Sequence, residues 1–283
     1  MIIFLSYLYY FIASSVSSLQ IRWLTKKKDL ESSEQVLFTF QIIFILFLGS
    51  LTFPFFSRFY LAGNYFHLFL LSVTCGIFGV GANLFSIIAQ KHLEAGVTTL
   101  VNNIYTPITI ILSSVLLHEG LTLTQIFGTI LLLFAVVIVS KQHRIGRFSF
   151  DKYFMLMLVS GITLGFLLVA ERALQKTTGF SAGIMMSWGS QAFFLGLVAL
   201  FTKSKRTYTK VEVISTGIIK FFSATSWVTL VYVVGNLSLV SSITTFKVII
   251  VFISAAIFLN EREDMPRKIF GSILAVIGLI LMK

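Results

Sequence analysis

Apolar residues dominate this chain in long blocks, and short polar stretches interrupt them at regular intervals. Ten apolar blocks lie near residues 2–22, 35–56, 66–89, 96–117, 121–140, 153–173, 181–201, 212–234, 240–259 and 267–282. Each is near the ~20 residues an α-helix needs to cross a bilayer, where no water is present to satisfy an exposed backbone amide. The pattern also repeats. In the first half an apolar helix closes on Glu119, a polar turn follows, and Phe127-Gly128 opens a second apolar helix. Glu261 and Phe270-Gly271 carry the same sequence of features in the second half, and Gln41 has a counterpart in Gln191. The expectation is an all-α membrane protein with ten transmembrane helices in two inverted five-helix repeats around a central cavity. Five is odd, so two halves folded alike enter the membrane in opposite senses. The first repeat spans 1–140, a basic connecting loop 141–152, and the second repeat 153–283.

Composition sharpens this picture. The chain is 57% hydrophobic and 12% charged, with mean hydropathy +0.93, and a soluble surface needs far more charge. The net charge of +11 raises the possibility of nucleic acid, but the cations sit in short loops between spans, which is how topology is written. Outside the spans, sixteen Lys and Arg follow the odd-numbered helices. Four (Arg58, Arg172, Lys176 and Lys283) lie on the other side. Taken alone, that bias puts the odd loops in the cytoplasm and the termini outside. Cys75 is the only cysteine, so no internal disulfide is available. The first apolar block lacks a basic region before Arg22 and reads as a retained helix rather than a cleaved signal.

Catalytic patterns are absent. No HExxH, CxxC, GxxxxGK or GxSxG motif occurs, so no enzyme activity, metal or cofactor is expected. Small residues four apart, Gly161 with Gly165 and Gly271 with Ala275, and a cluster at Gly76, Gly79 and Gly81, point to close helix packing inside the bundle.

Polar groups inside the spans carry the functional information. Asn102, Tyr105, Thr106, Thr109 and Ser113 follow helical spacing down the fourth span, with Pro107 among them as a kink. Such a stripe either lines a cavity or bonds neighbouring helices. Tyr10, Ser14 and Ser17 form a shorter one in the first span. Lys247 lies deep in the ninth span, with Thr244 one turn before it. A mid-membrane lysine costs ~2.5–3.5 kcal/mol on insertion scales, so it faces protein or water. It either receives an anionic group or pairs with a carboxylate. Lys220 shares a helix face with Thr216, Ser223 and Trp227, nearer a span end, where snorkelling also accounts for it. Glu171 closes the sixth span as an interfacial charge, a partner for either lysine, or a proton carrier. Gln41 and Gln191 either close the interface between repeats or touch a substrate. Trp188 and Trp227 read as packing or interface anchors.

Two segments, IYTPITIILSSVLLHEGLTLTQIFG and TTFKVIIVFISAAIFLNE, make the chain similar to the EamA branch of the drug/metabolite transporter superfamily, over nearly its whole length. The resemblance implies the inverted-repeat ten-helix fold, alternating access, and export or exchange of amino acids, other metabolites or drugs. It also implies cytoplasmic termini, opposite to the loop charge. Thr244-Thr245-Phe246-Lys247 resembles the ninth helix of the related nucleotide-sugar carriers, where a lysine binds phosphate. Only Lys247 carries over. The usual neighbouring Arg is absent, so a carboxylate or zwitterion suits the charge better than a phosphate.

The expectation is therefore a secondary transporter of a small polar metabolite, such as an amino acid or organic anion, multi-pass in the bacterial inner membrane and monomeric or homodimeric. Its partners are that substrate and the lipid bilayer, not nucleic acid. Substrate contacts are expected from Lys247, Thr244, Asn102, Tyr105, Thr106, Trp227, Gln41 and Gln191, with Glu171 and Lys220 in coupling or charge pairing. The alternatives are an exporter of lipophilic cations, an intramembrane enzyme, and a scaffold that transports nothing.

Overall fold

The structure is a computed structural model. It describes residues 2–27, 32–61, 63–116, 122–140, 151–202, 208–244, 247–259 and 265–281. Glu119, Glu261, Thr245, Phe246 and most of the basic connecting loop lie outside the described residues. Every regular element described is helical. They run α1 Ile2–Lys27, α2 Ser32–Ser50, α3 Tyr65–Val80, α4 Ser86–Gln90, α5 Ala95–Asn102, α6 Tyr105–Leu116, α7 Leu123–Ser140, α8 Lys152–Phe201, α9 Lys210–Val234, α10 Leu237–Thr244, α11 Lys247–Phe258 and α12 Met265–Leu281.

Five stretches are long and apolar enough to cross a membrane: Ser33–Phe55, Tyr65–Gln90, Ala95–Leu116, Lys152–Phe201 and Lys210–Val234. The outer surface is strongly apolar. Phe4, Phe55, Phe66, Phe69, Phe134, Phe201 and Phe258 are all well exposed, as suits contact with acyl chains and not water. The chain is an integral membrane protein.

Helix count does not follow the ten apolar blocks one for one. The sixth and seventh blocks join in α8, which is helical for 50 residues around a bend at Gly179. Glu171 and Ser187 would stand about 24 Å apart on a straight helix. Their side chains are 2.6 Å apart instead. The chain therefore turns back at Gly179, whose φ of 77° lies in the left-handed region that suits glycine. The two arms of α8 run antiparallel, and Gly183 packs on the Gln175 backbone.

The third and fourth blocks are broken in the other sense. A widened helical turn, Gly81–Phe85, separates α3 from α4. α5 stops at Asn102 and α6 begins at Tyr105. Pro107 explains this second break. It has no N–H to give the Asn103 carbonyl, and its ring crowds that oxygen. The chain tightens locally, with Ile104 N donating to Val101 O at 3.1 Å and Thr106 N to Asn103 O at 3.0 Å. The ninth block is described as α10 and α11.

Small residues let these backbones meet. A Cβ on Gly161 would lie 2.9 Å from Asn102 O, so the first arm of α8 rests directly on the α5–α6 break. A Cβ on Gly278 would lie 2.8 Å from Gly128 O, which sets α12 against α7. Because lipid is as apolar as the helices, such close packing holds the bundle together where the hydrophobic effect cannot. Helix ends are specified locally. Thr209 and Glu212 form a reciprocal cap at the start of α9, and Gly235 ends it in the left-handed conformation.

Candidate transport site

Inside this bundle α1, α2, the α3–α4 region, α5, α6, both arms of α8, α9 and α11 enclose a cavity of about 210 Å³. One wall is cationic. Lys247 at the start of α11 donates to Tyr10 Oη at 3.2 Å. The Tyr10 ring stands 5.6 Å from Trp227, and Trp227 meets Tyr105 edge-on at 6.1 Å. Lys220 of α9 lines the same cavity, on the helix face that carries Ser223 and Trp227.

The α8 part of the lining holds Glu171. Its carboxylate is 5% exposed and accepts from Ser187 Oγ at 2.6 Å. Ser187 Oγ in turn accepts from Gln191 Nε2 at 3.1 Å. Gln191 Oε1 accepts from Asn83 Nδ2, also at 3.1 Å. Asn83 sits in the widened turn after α3. The sequence reading of Glu171 as an interfacial charge is thereby corrected, because the hairpin at Gly179 folds it inward. Among the described residues no ion pair joins Glu171 to Lys220 or Lys247. Oppositely charged groups thus share one cavity without touching, each lacking the partner that normally offsets burial.

Of the residues singled out in sequence, Lys247, Asn102, Tyr105, Trp227, Gln191, Glu171 and Lys220 line this cavity. Thr244 and Thr106 do not; both are fully buried behind it. The Thr244 hydroxyl bonds its own helix at Val240 O, 2.7 Å away. The polar stripe of the fourth span is likewise divided. Asn102 and Tyr105 reach the cavity, whereas Thr106, Thr109 and Ser113 are buried in the packed interior. Gln41 lies in a separate shallow groove with Tyr208 and Lys210. The neighbouring Ile42 and Ile43 take the cavity face of α2 instead, about 100° of helix rotation away.

Sequence reasoning missed Asn83, Ser86, Gln90 and Ser187. The first three fall at i, i+3 and i+7, a signal obscured by the nearby glycine cluster. Ser187 gives no signal, because it meets Glu171 only through the hairpin.

Contacts between helix ends tie the bundle together at its two faces. At one end Arg22 Nη1 donates to Gln90 O at 2.5 Å and Lys91 O at 2.8 Å, and Lys268 pairs with Glu94. At the other, Ser57 bonds Ser181, Arg172 Nη2 donates to Gly235 O at 3.3 Å, and Phe53 packs on Phe180, Trp188 and Phe221.

An apolar helical bundle around an internal, charged cavity has the form of a membrane carrier. Residues 2–141, about half of the chain, match the EamA-like transporter family. One crystal structure of another protein matches 96% of this chain and 97% of that one, with TM-score 0.60 and 14% identity, a likeness of fold alone. No curated protein matches in sequence.

Proposed function

We propose that this protein is a secondary transporter of a small polar metabolite with an anionic group, such as an amino acid or organic anion. It exports or exchanges its cargo by alternating access across the inner membrane of a bacterial cell. The ten apolar blocks form two inverted five-helix repeats, and rocking of the halves opens the Arg22–Glu94–Lys268 end and the Ser57–Phe53–Arg172 end in turn. The observation that carries this reading is the cavity itself, with Lys247 free of any carboxylate among the described residues. An ammonium there favours an anion in proportion to its desolvation. Tyr10, Tyr105, Trp227 and Asn102 shape the pocket around it. Neither the inverted topology nor the side on which the termini lie is needed for that argument. C-terminal phosphatase and fluorescent-protein fusions decide the latter.

Counterflow in proteoliposomes tests the function. Vesicles preloaded with unlabelled amino acids or dicarboxylates accumulate the labelled compound when they hold the wild-type protein. Lys247→Ala lowers that accumulation about hundredfold, since removing one partner of a buried charge pair costs ~2–5 kcal/mol. Equal counterflow by the variant removes Lys247 from the binding role. A second reading, export of a lipophilic cation, draws on Glu171 in the same cavity. Counterflow of a quaternary ammonium dye, lost in Glu171→Gln and retained in Lys247→Ala, supports it over the first.

A further inference from the structure

The hydrogen bonds behind Glu171 have a fixed direction. The Ser187 hydroxyl has one proton, and it points to the carboxylate at 2.6 Å, the length of a charge-assisted bond. Its oxygen is then left to accept from Gln191 Nε2. Gln191 must therefore present Oε1 to Asn83, whose Nδ2 donates to it and to Gly79 O at 2.9 Å. Each donor in the line is turned toward the next acceptor, and the line ends on the carboxylate. What remains is the Oδ1 of Asn83, to which no described residue donates, and the unused lone pairs of Glu171. Both residues line the cavity and present acceptors to it.

The backbone is built to hold that line. Gln191 lies flat on α3 because residue 79 is glycine; a Cβ there would come 2.3 Å from Gln191 Cγ. The widened turn Gly81–Phe85 brings Asn83 round to the same wall, in an irregularity that costs stability and recurs at functional sites. Trp188 flanks the carboxylate and also lines the cavity.

We propose that Glu171 and Asn83 form a receptor for a protonated amine, and that Ser187 and Gln191 are positioning residues that aim it. An ammonium has three N–H donors and one positive charge, which this pair of acceptors satisfies. The lysine wall takes the anionic group of the same molecule. The cargo then carries both charges and offsets both buried unpaired ends at once. This inference rests on the transporter reading, and it narrows the cargo from any small anion to one that also bears an amine.

The test is a fluorescence titration of the purified protein, with Trp188 and Trp227 in the cavity as reporters. The probes are two matched trios: leucine, 4-methylpentanoate and 3-methylbutylamine; phenylalanine, 3-phenylpropanoate and 2-phenylethylamine. In the wild type at least one amino acid binds about tenfold or more tighter than its amine-free partner, as one charged hydrogen bond allows. Ser187→Ala cuts that advantage to about threefold or less, and Ser187→Thr restores it. The affinity for the amine-free acid stays the same in both variants, which a damaged fold does not permit. Equal affinity for the amino acid and the amine-free acid in the wild type overturns the amine receptor and leaves the anion carrier standing. A parallel loss of both ligands in Ser187→Ala reduces Ser187 to a structural role and overturns the aiming. Silence toward all six probes removes both the receptor and the reading beneath it.

Discussion

Glu171 and Lys247 line one cavity, and they are held in different ways. The carboxylate ends a line of three side chains that crosses from the second arm of α8 to α3. Its position is set before any ligand arrives. Among the described residues Lys247 has one side-chain hydrogen bond, to Tyr10, on a four-carbon stem, and Lys220 donates none. A short, braced acid gives geometric discrimination, because a misplaced donor loses its bond outright. Two long, loosely tied cations give attraction with tolerance of shape. On the proposed function, selectivity for the cationic group is built at α8, and capacity for varied anions at α9 and α11.

The largest effect that breaks the comparison is loss of the acid. Glu171→Gln keeps the volume but puts an amide donor where an amine must bind. Affinity for the amino-acid probe falls about hundredfold, within the ~2–5 kcal/mol that truncating a buried charge pair costs. Affinity for the amine-free acid is unchanged or improves, as the repulsion from a nearby carboxylate is gone. If the amine-free acid is lost equally, the two walls do not divide the labour.

Gly79→Ala has an intermediate effect and addresses the bracing. The methyl group drives Gln191 off α3, and overpacking costs ~1–3 kcal/mol. The thermal unfolding midpoint drops. Preference for the amino acid over its amine-free partner also shrinks, though the acid itself is intact. A lower midpoint with undiminished preference means that Glu171 aims itself without the line behind it.

This contrast also explains what the sequence could reveal. Burying a lysine is so costly that Lys247 announced itself from its depth in an apolar block. Tyr105 and Trp227 followed from helical periodicity, since each shares a face with another polar residue. Glu171 looked interfacial because it closes its block, and only the reversal at Gly179 brings it inward. Periodicity along one helix has no means of relating Glu171 to Ser187 on an antiparallel arm, or Gln191 to Asn83 on another helix. The stripe below Pro107 misled because helical spacing shows a shared face but not which part of that face meets the cavity. Gln41 misled because repeat symmetry matched its position but not the direction of its side chain. The helical, membrane-embedded architecture was legible throughout, since apolar blocks of this length have few other folded forms.

The smallest effect sharpens the cationic wall. Lys220 and Lys247 stand close enough to repel each other in a cavity where water screens them poorly. Lys220 has no bonded partner that offsets this strain in the empty protein. Lys220→Met keeps the length and apolar stem while removing one of the like charges. The empty protein becomes more stable, and its thermal unfolding midpoint rises. Anion affinity falls only about two- to threefold, because a charge without a hydrogen bond to the ligand acts through a partly screened field alone. A gain in stability with a small loss of binding is the mark of a group kept for function at the expense of the fold. A fall in both makes Lys220 a structural snorkelling cation, and Lys247 then stands alone as the receptor for the anionic end.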